Sequence, residues 1–181
     1  MPTSVLRRAF AAALALVGAL ACATDARCQT ATQSMAAVIN PAAKLSVQAS
    51  AALAVSGSYF ASYQANLPVS YRARTTSAGG GNITVRVSSD FTPSGGPTAA
   101  SGALTYVCSG ATLGTACSGT QTATSSQTPV LTLPASACTG GGGACSSGDP
   151  NAVTLQFVLT NNPAYSTGTY SVQLTFVISA T

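Results

Sequence analysis

Beyond residue 28 apolar and polar residues alternate with a period of two over most of the chain, most cleanly near its end. In residues 169–181 (TYSVQLTFVISAT) Val172, Leu174, Phe176 and Ile178 fall on one face and Ser171, Gln173, Thr175 and Ser179 on the other, which predicts a half-buried strand. The preceding segment repeats the pattern, with Val153, Leu155, Phe157 and Leu159 inward and Thr154, Gln156 and Thr160 outward. Between the two, Asn161-Asn162-Pro163 and Thr167-Gly168 supply turn chemistry. Residues 67–76 (LPVSYRARTT) place Leu67, Val69, Tyr71 and Ala73 on one face, and Ile83, Val85 and Val87 do the same in residues 82–89 (NITVRVSS). The link 77–81 (SAGGG) predicts that these two strands close as a hairpin. Further strands are predicted over 38–56, with a break near 49–51, over 103–108 and over 128–133.

No stretch of a dozen residues in this region keeps helical spacing without a Gly, Pro or β-rich interruption, which argues against a parallel sheet with helical crossovers. About eight strands, within a range of seven to nine, predict an all-β fold, an antiparallel immunoglobulin-like β-sandwich. Residues 91–102 (FTPSGGPTAASG) and 135–150 (ASACTGGGGACSSGDP) read as loops from their Gly and Pro content. No repeat of fixed length is visible, so solenoid and propeller architectures are not expected.

The first residues follow a different pattern. Arg7 and Arg8 precede an apolar run over 9–21 (AFAAALALVGALA), too short for a bilayer span of about 20 residues and typical of a secretory signal peptide. Residues 1–28 are therefore predicted to be a leader and 29–181 a single exported domain, periplasmic, secreted or at the cell surface, with no transmembrane segment after cleavage. Ala21-Cys22-Ala23 fits the small-x-small rule for a cut after Ala23, while a cut after Cys28 leaves a polar start at Gln29. Lipidation at Cys22 is disfavoured, because Ala19-Leu20-Ala21 puts the large side chain in the wrong place for a lipobox.

Removing the leader through Cys28 changes the balance of charge and thiols. Lys44, Arg72, Arg74 and Arg86 then stand against Asp90 and Asp149, a net charge of +2, too little for a nucleic-acid footprint. Four cysteines remain, and an even number in an exported chain predicts two disulfides. The favoured pairs are Cys108 with Cys117 and Cys138 with Cys145, each bracketing a short Gly/Ser-rich segment. Such staples are expected at the rim, leaving the two sheets to be held by apolar alternation alone. A four-thiolate metal site is poorly supported, since neither pair has zinc-knuckle spacing and the chain has no His.

Catalysis finds few candidates. Acid–base chemistry needs tunable groups, and the chain has neither His nor Glu. Asp90 precedes Phe91-Thr92-Pro93 and Asp149 stands in Gly148-Asp149-Pro150, both better read as turn residues than as paired catalytic carboxylates. No Ser-x-x-Lys precedes Lys44, the only lysine, and the run Gly140 to Gly143 lacks the Lys-Ser/Thr and helix of a phosphate loop. The expectation is a non-enzymatic protein without cofactor or metal. Arg72, Arg74 and Arg86 form a candidate surface-binding trio: a symmetric hairpin sets Arg72 opposite Arg86, a basic patch for an anionic polysaccharide or lipid headgroup. The blander reading is solubility and edge protection. Tyr59, Phe60 and Tyr63 cluster in residues 58–64 (SYFASYQ), as a sugar-stacking surface or, by default, as packing between two strands.

The ending Ser166-Thr167-Gly168-Thr169-Tyr170-Ser171-Val172-Gln173-Leu174-Thr175-Phe176 resembles the G-x-Y-x-x-x-v-x-v final strand of spore coat protein U and related archaic chaperone-usher pilin subunits. Residues 34–49 (SMAAVINPAAKLSVQA) are similar to their first two strands, with Pro41-Ala42-Ala43 where that family carries a Cys. The resemblance implies a structural or adhesive subunit that lacks one strand of its own sandwich and is completed by the N-terminal extension of a neighbour. Its partners would be copies of itself or related subunits and a periplasmic chaperone. Residues 29–39 (QTATQSMAAVI) are the candidate donor, with Met35, Ala37 and Ile39 on one face, or else the protein's own first strand or a tail. The alternative function is a monomeric carbohydrate- or ligand-binding module.

Overall fold

The computed structural model describes residues 33–55, 57, 59–138, 145 and 150–181. The predicted leader, Gly140 to Gly143 and Asp149 lie outside the described residues. The chain divides into Met1–Val38 and Ile39–Thr181. Of the first unit, residues 33–38 are described; they are exposed and form no regular secondary structure.

The second unit is a sandwich of two antiparallel sheets. In chain order its strands are β1 (Ala42–Val47), β2 (Ala54–Val55), β3 (Tyr63–Arg74), β4 (Gly81–Thr92), β5 (Leu104–Ser109), β6 (Thr115–Ala116), β7 (Gln121–Thr122), β8 (Thr128–Leu133), β9 (Asn151–Leu159) and β10 (Ser171–Ala180). One sheet runs β1-β3-β9-β5-β7, with β2 also against β3; the other runs β10-β4-β8-β6. The predicted alternation is obeyed most strictly in the central strands. Val69, Tyr71, Val85, Val153 and Leu155 are almost wholly buried, because each is covered on both flanks by neighbouring strands and in front by the opposite sheet. In β8 the consecutive Val130 and Leu131 are both buried. The β4–β8 register slips there, Ile83 facing Leu131 and Thr84 facing Pro129, so Val130 is the extra residue of a bulge that turns it inward.

The predicted hairpin between residues 67–76 and 82–89 does not form. β3 pairs with β1 and β9 in one sheet, whereas β4 pairs with β10 and β8 in the other. The connection is a corner between layers: Thr75, itself buried, donates its N–H to Ala137 O (3.1 Å) and its hydroxyl to Pro134 O (2.8 Å), and accepts from Ala137 N–H (2.8 Å). Alternation specifies which face of a strand goes inward but not which sheet it joins, and a link of this length can either turn back or cross the roughly 10 Å between layers.

Both predicted disulfides are present, with Cα–Cα distances of 5.4 Å for Cys108–Cys117 and 5.1 Å for Cys138–Cys145. Such bonds persist in an oxidising extracellular or periplasmic environment. The first corrects the expectation that neither bridge ties the sheets. Cys108 lies in β5 opposite Leu155 of β9, whereas Cys117 follows β6 and donates its N–H to Val130 O of β8 (2.9 Å), so this bond joins one sheet to the other. The core is not held by apolar alternation alone either. The Tyr106 hydroxyl, from β5, shares its proton between Thr128 Oγ1 and Pro129 O of β8, both at 2.8 Å, and Thr128 donates onward to Val85 O of β4 at 3.0 Å.

Candidate functional site

β1 and β10 stand at the edges of their sheets, on the same side of the sandwich. β1 has β3 as its strand partner and β10 has β4, and no strand among the described residues lies beyond either. β1 leaves β3 after Val47↔Val69, one position before it would face Pro68, which has no N–H to offer a ladder. The chain resumes pairing with β3 only at Ala54↔Gln64. This is the predicted break near 49–51, and residues 48–51 within it line the groove.

The result is a groove of about 680 Å³. Leu45 and Val47 form one wall, Val172, Leu174 and Phe176 the other, and Leu67, Leu104 and Phe157 the floor. Exposure separates wall from floor. The inward apolar residues of β10, Val172, Leu174, Phe176 and Ile178, are only half-buried, as are Leu45 and Val47, whereas Leu104 is 1% exposed. Both walls therefore present apolar side chains that no strand covers, beside the free edges of two backbones. An extended segment laid between them could complete a ladder and cover those side chains at once.

Residues 29–39 were the candidate donor, and the described part of that segment is not the sandwich's own first strand: pairing starts at Ala42. Met35, Val38 and Ile39 are 93%, 85% and 71% exposed. The root of the segment is held where Arg74 Nε and Nη2 both donate to Asn40 O, at 3.3 and 2.9 Å.

The structure does not bring the arginine trio together. Arg72 and Arg74 lie on the outward face of β3, where Lys44 of β1 faces Arg72 in register. Arg86 lies on the outward face of β4, opposite Thr175 of β10, and so on the other side of the sandwich. The basic patch built on Arg72 opposite Arg86 fails with the hairpin that it assumed. Asp90 serves as a structural acceptor: its Oδ1 takes the N–H of Phe91 and of Ala99, each at 2.8 Å, closing the loop between β4 and β5. Among the described residues no three His, Cys, Asp or Glu side chains gather as a metal site would require, and no helix is long and apolar enough to cross a membrane.

The default reading of the aromatic cluster as packing fails for two of its members, since Tyr59 and Phe60 are 97% and 62% exposed; Tyr63 does pack against the core. Sequence reasoning missed a second cavity, of about 900 Å³, into which Phe60 and Tyr63 open beside the β9–β10 connection. The signal was divided between segments almost a hundred residues apart. No family model matches the chain, and it matches neither a curated protein nor a solved structure.

Proposed function

We propose that the protein is an exported, immunoglobulin-like structural subunit of the cell surface whose sandwich is completed by a strand from another copy or a related subunit. The observation that carries this reading is the groove between β1 and β10, apolar on both walls and open along two backbone edges. Two further features agree with it. Met35 and Ile39 expose apolar side chains on a segment outside any strand, and each gains about 1.5–3 kcal/mol if buried. The ending of residues 166–176 and the segment 34–49 resemble the corresponding strands of archaic chaperone-usher pilins. A donated strand would place Met35, Ala37 and Ile39 inward between the walls, with a periplasmic chaperone covering the groove until then.

The test is oligomeric state together with complementation. The chain from Gln29 should form concentration-dependent oligomers by light scattering, and a chain beginning at Asn40 should be monomeric. A synthetic peptide of residues 29–40 should bind that shortened chain and raise its melting temperature. A chain from Gln29 that stays monomeric at every concentration, with no response of the shortened chain to the peptide, would sink the reading.

A further inference from the structure

The second cavity lies where residues 49–53, which join β1 to β2, and Phe60 and Tyr63 meet the segment joining β9 to β10. Its lining contains no Lys, Arg or Asp, so neither an anion nor a cation finds a partner there. What it does contain is aromatic rings and neutral hydrogen-bonding groups, together with aliphatic side chains such as Leu53, Leu159 and Val172. Phe60, Tyr63, Tyr165 and Tyr170 supply the rings; Asn161 and the Ser and Thr residues of 166–171 supply amide and hydroxyl groups.

Part of this wall is built rigidly. Tyr170 donates its hydroxyl to Ser166 O at 2.7 Å, and Ser166 N–H donates to Gly95 O at 3.0 Å. The Tyr170 ring lies so close to Gly96 that a Cβ there would come within 2.2 Å of it, so only glycine admits the ring. Asn162 Oδ1 accepts from Ala164 N–H at 2.9 Å, and Tyr165 N–H donates to Asn162 O at 3.0 Å, fixing the turn that carries the Tyr165 ring. By contrast, the hydroxyls of Tyr63 and Tyr165 and the amide of Asn161 make no hydrogen bond among the described residues and are available to a ligand. Phe60 stands at the mouth with φ at 61°, a conformation that costs an L-residue about 1–2 kcal/mol and is retained although its ring stays largely in water.

From these features we infer that the cavity is a binding site for a neutral oligosaccharide. Sugar rings have apolar C–H faces that stack on aromatic rings and equatorial hydroxyls that both donate and accept, and tyrosine and asparagine meet both needs without charge. The volume falls within the ordinary range of small-molecule sites, about 300–1,000 Å³. An apolar ligand would leave the ring of Ser, Thr and Asn groups without partners, and a charged glycan would leave its carboxylates so. With no carboxylate, imidazole or amine side chain in its lining, the site binds and does not hydrolyse. It adjoins the strand groove, sharing Ala49, Ser50, Ala51, Leu53 and Val172 with it, but Phe60, Tyr63 and Tyr165 do not line that groove.

The experiment is isothermal titration of the chain from Gln29 with cellohexaose, laminarihexaose, maltohexaose and mannohexaose, with hexagalacturonate as the charged control. At least one neutral series should bind and the galacturonate should not. Phe60→Ala, at an exposed position, should weaken binding at least tenfold with no change in melting temperature. Tyr165→Phe, which keeps the ring and removes the hydroxyl, should weaken it severalfold. The double variant M35D/I39D, altered in the segment proposed for donation, should bind as the parent does. No heat with any neutral sugar, equal binding by the Phe60→Ala chain, or a preference for the galacturonate would each overturn the assignment.

Discussion

Tyr71 and Tyr106 are almost fully buried, and each spends its hydroxyl on a partner far away in the chain. The Tyr71 hydroxyl donates to Leu113 O and accepts from Leu113 N–H, fixing the connection between β5 and β6. Tyr106 bridges the sheets through Thr128 and packs against Phe157, ring centroids 5.4 Å apart. Burial holds both phenols neutral and pushes their pKa values above the ordinary 10, with the hydrogen bonds opposing in part. The folded state therefore keeps protons that the unfolded chain releases near pH 10, so this contribution to stability is complete below that pH and is lost as pH rises above it. Urea midpoints should fall between pH 10 and 12, and the fall should be shallower in the Tyr71→Phe/Tyr106→Phe variant; an equal slope would show that other groups govern it. At neutral pH Tyr106→Phe alone should cost about 1–2 kcal/mol, because Pro129 O and Thr128 lose a buried donor. Alternation already places Tyr71 inside. The partners of the hydroxyls are not legible from it, because they depend on which sheet each strand joins.

At the level of elements, strand positions were legible and strand partners were not. The predicted strand over 128–133 coincides with β8, the facing of β9 follows the sequence residue by residue, and that of β10 follows it except at Thr175, which is as buried as its apolar neighbours. β6 and β7, two residues each, have too little pattern to be seen, whereas β2 lies in the predicted segment 38–56 beyond its break. The hairpin and the arginine patch failed together, since one assumed the other. The two disulfides illustrate the same gap between pairing and placement. They span sequence separations of 9 and 7, so loop closure gives each about 2–3 kcal/mol. Cys108 and Cys117 are in addition packed against the core and link the two sheets. Cys108→Ala/Cys117→Ala should therefore lower stability by about 1 kcal/mol more than Cys138→Ala/Cys145→Ala in parallel urea titrations, the excess coming from lost burial. Equal losses would mean that the cross-sheet position adds nothing.

For the whole molecule, the groove was anticipated only through a resemblance, because alternation in β10 looks the same whether its inward face is covered or open. The distinction lies in the neighbours. Phe176 and Leu155 both point inward in the sequence pattern, yet Leu155 is 0% exposed between two strands and Phe176 stays half-buried on an edge. Leu155→Ala should cost about 2–5 kcal/mol in the isolated subunit, whereas a change on the donor segment should cost that subunit nothing. Met35→Asp with Ile39→Asp makes the sharper case. Both side chains are exposed, so the lone subunit loses no packing and should melt at the parent's temperature. In an assembled groove the same two positions would bury carboxylates against Leu45, Val172, Leu174 and Phe176, and an unpaired charge in such surroundings costs far more than the strand gains from its ladder. Light scattering should then show monomers at concentrations where the parent chain is oligomeric. Mixing the variant with the parent should give short, terminated assemblies, since a variant subunit can accept a strand but cannot donate one. Oligomers of undiminished length in that mixture would place the joint between subunits somewhere other than this groove.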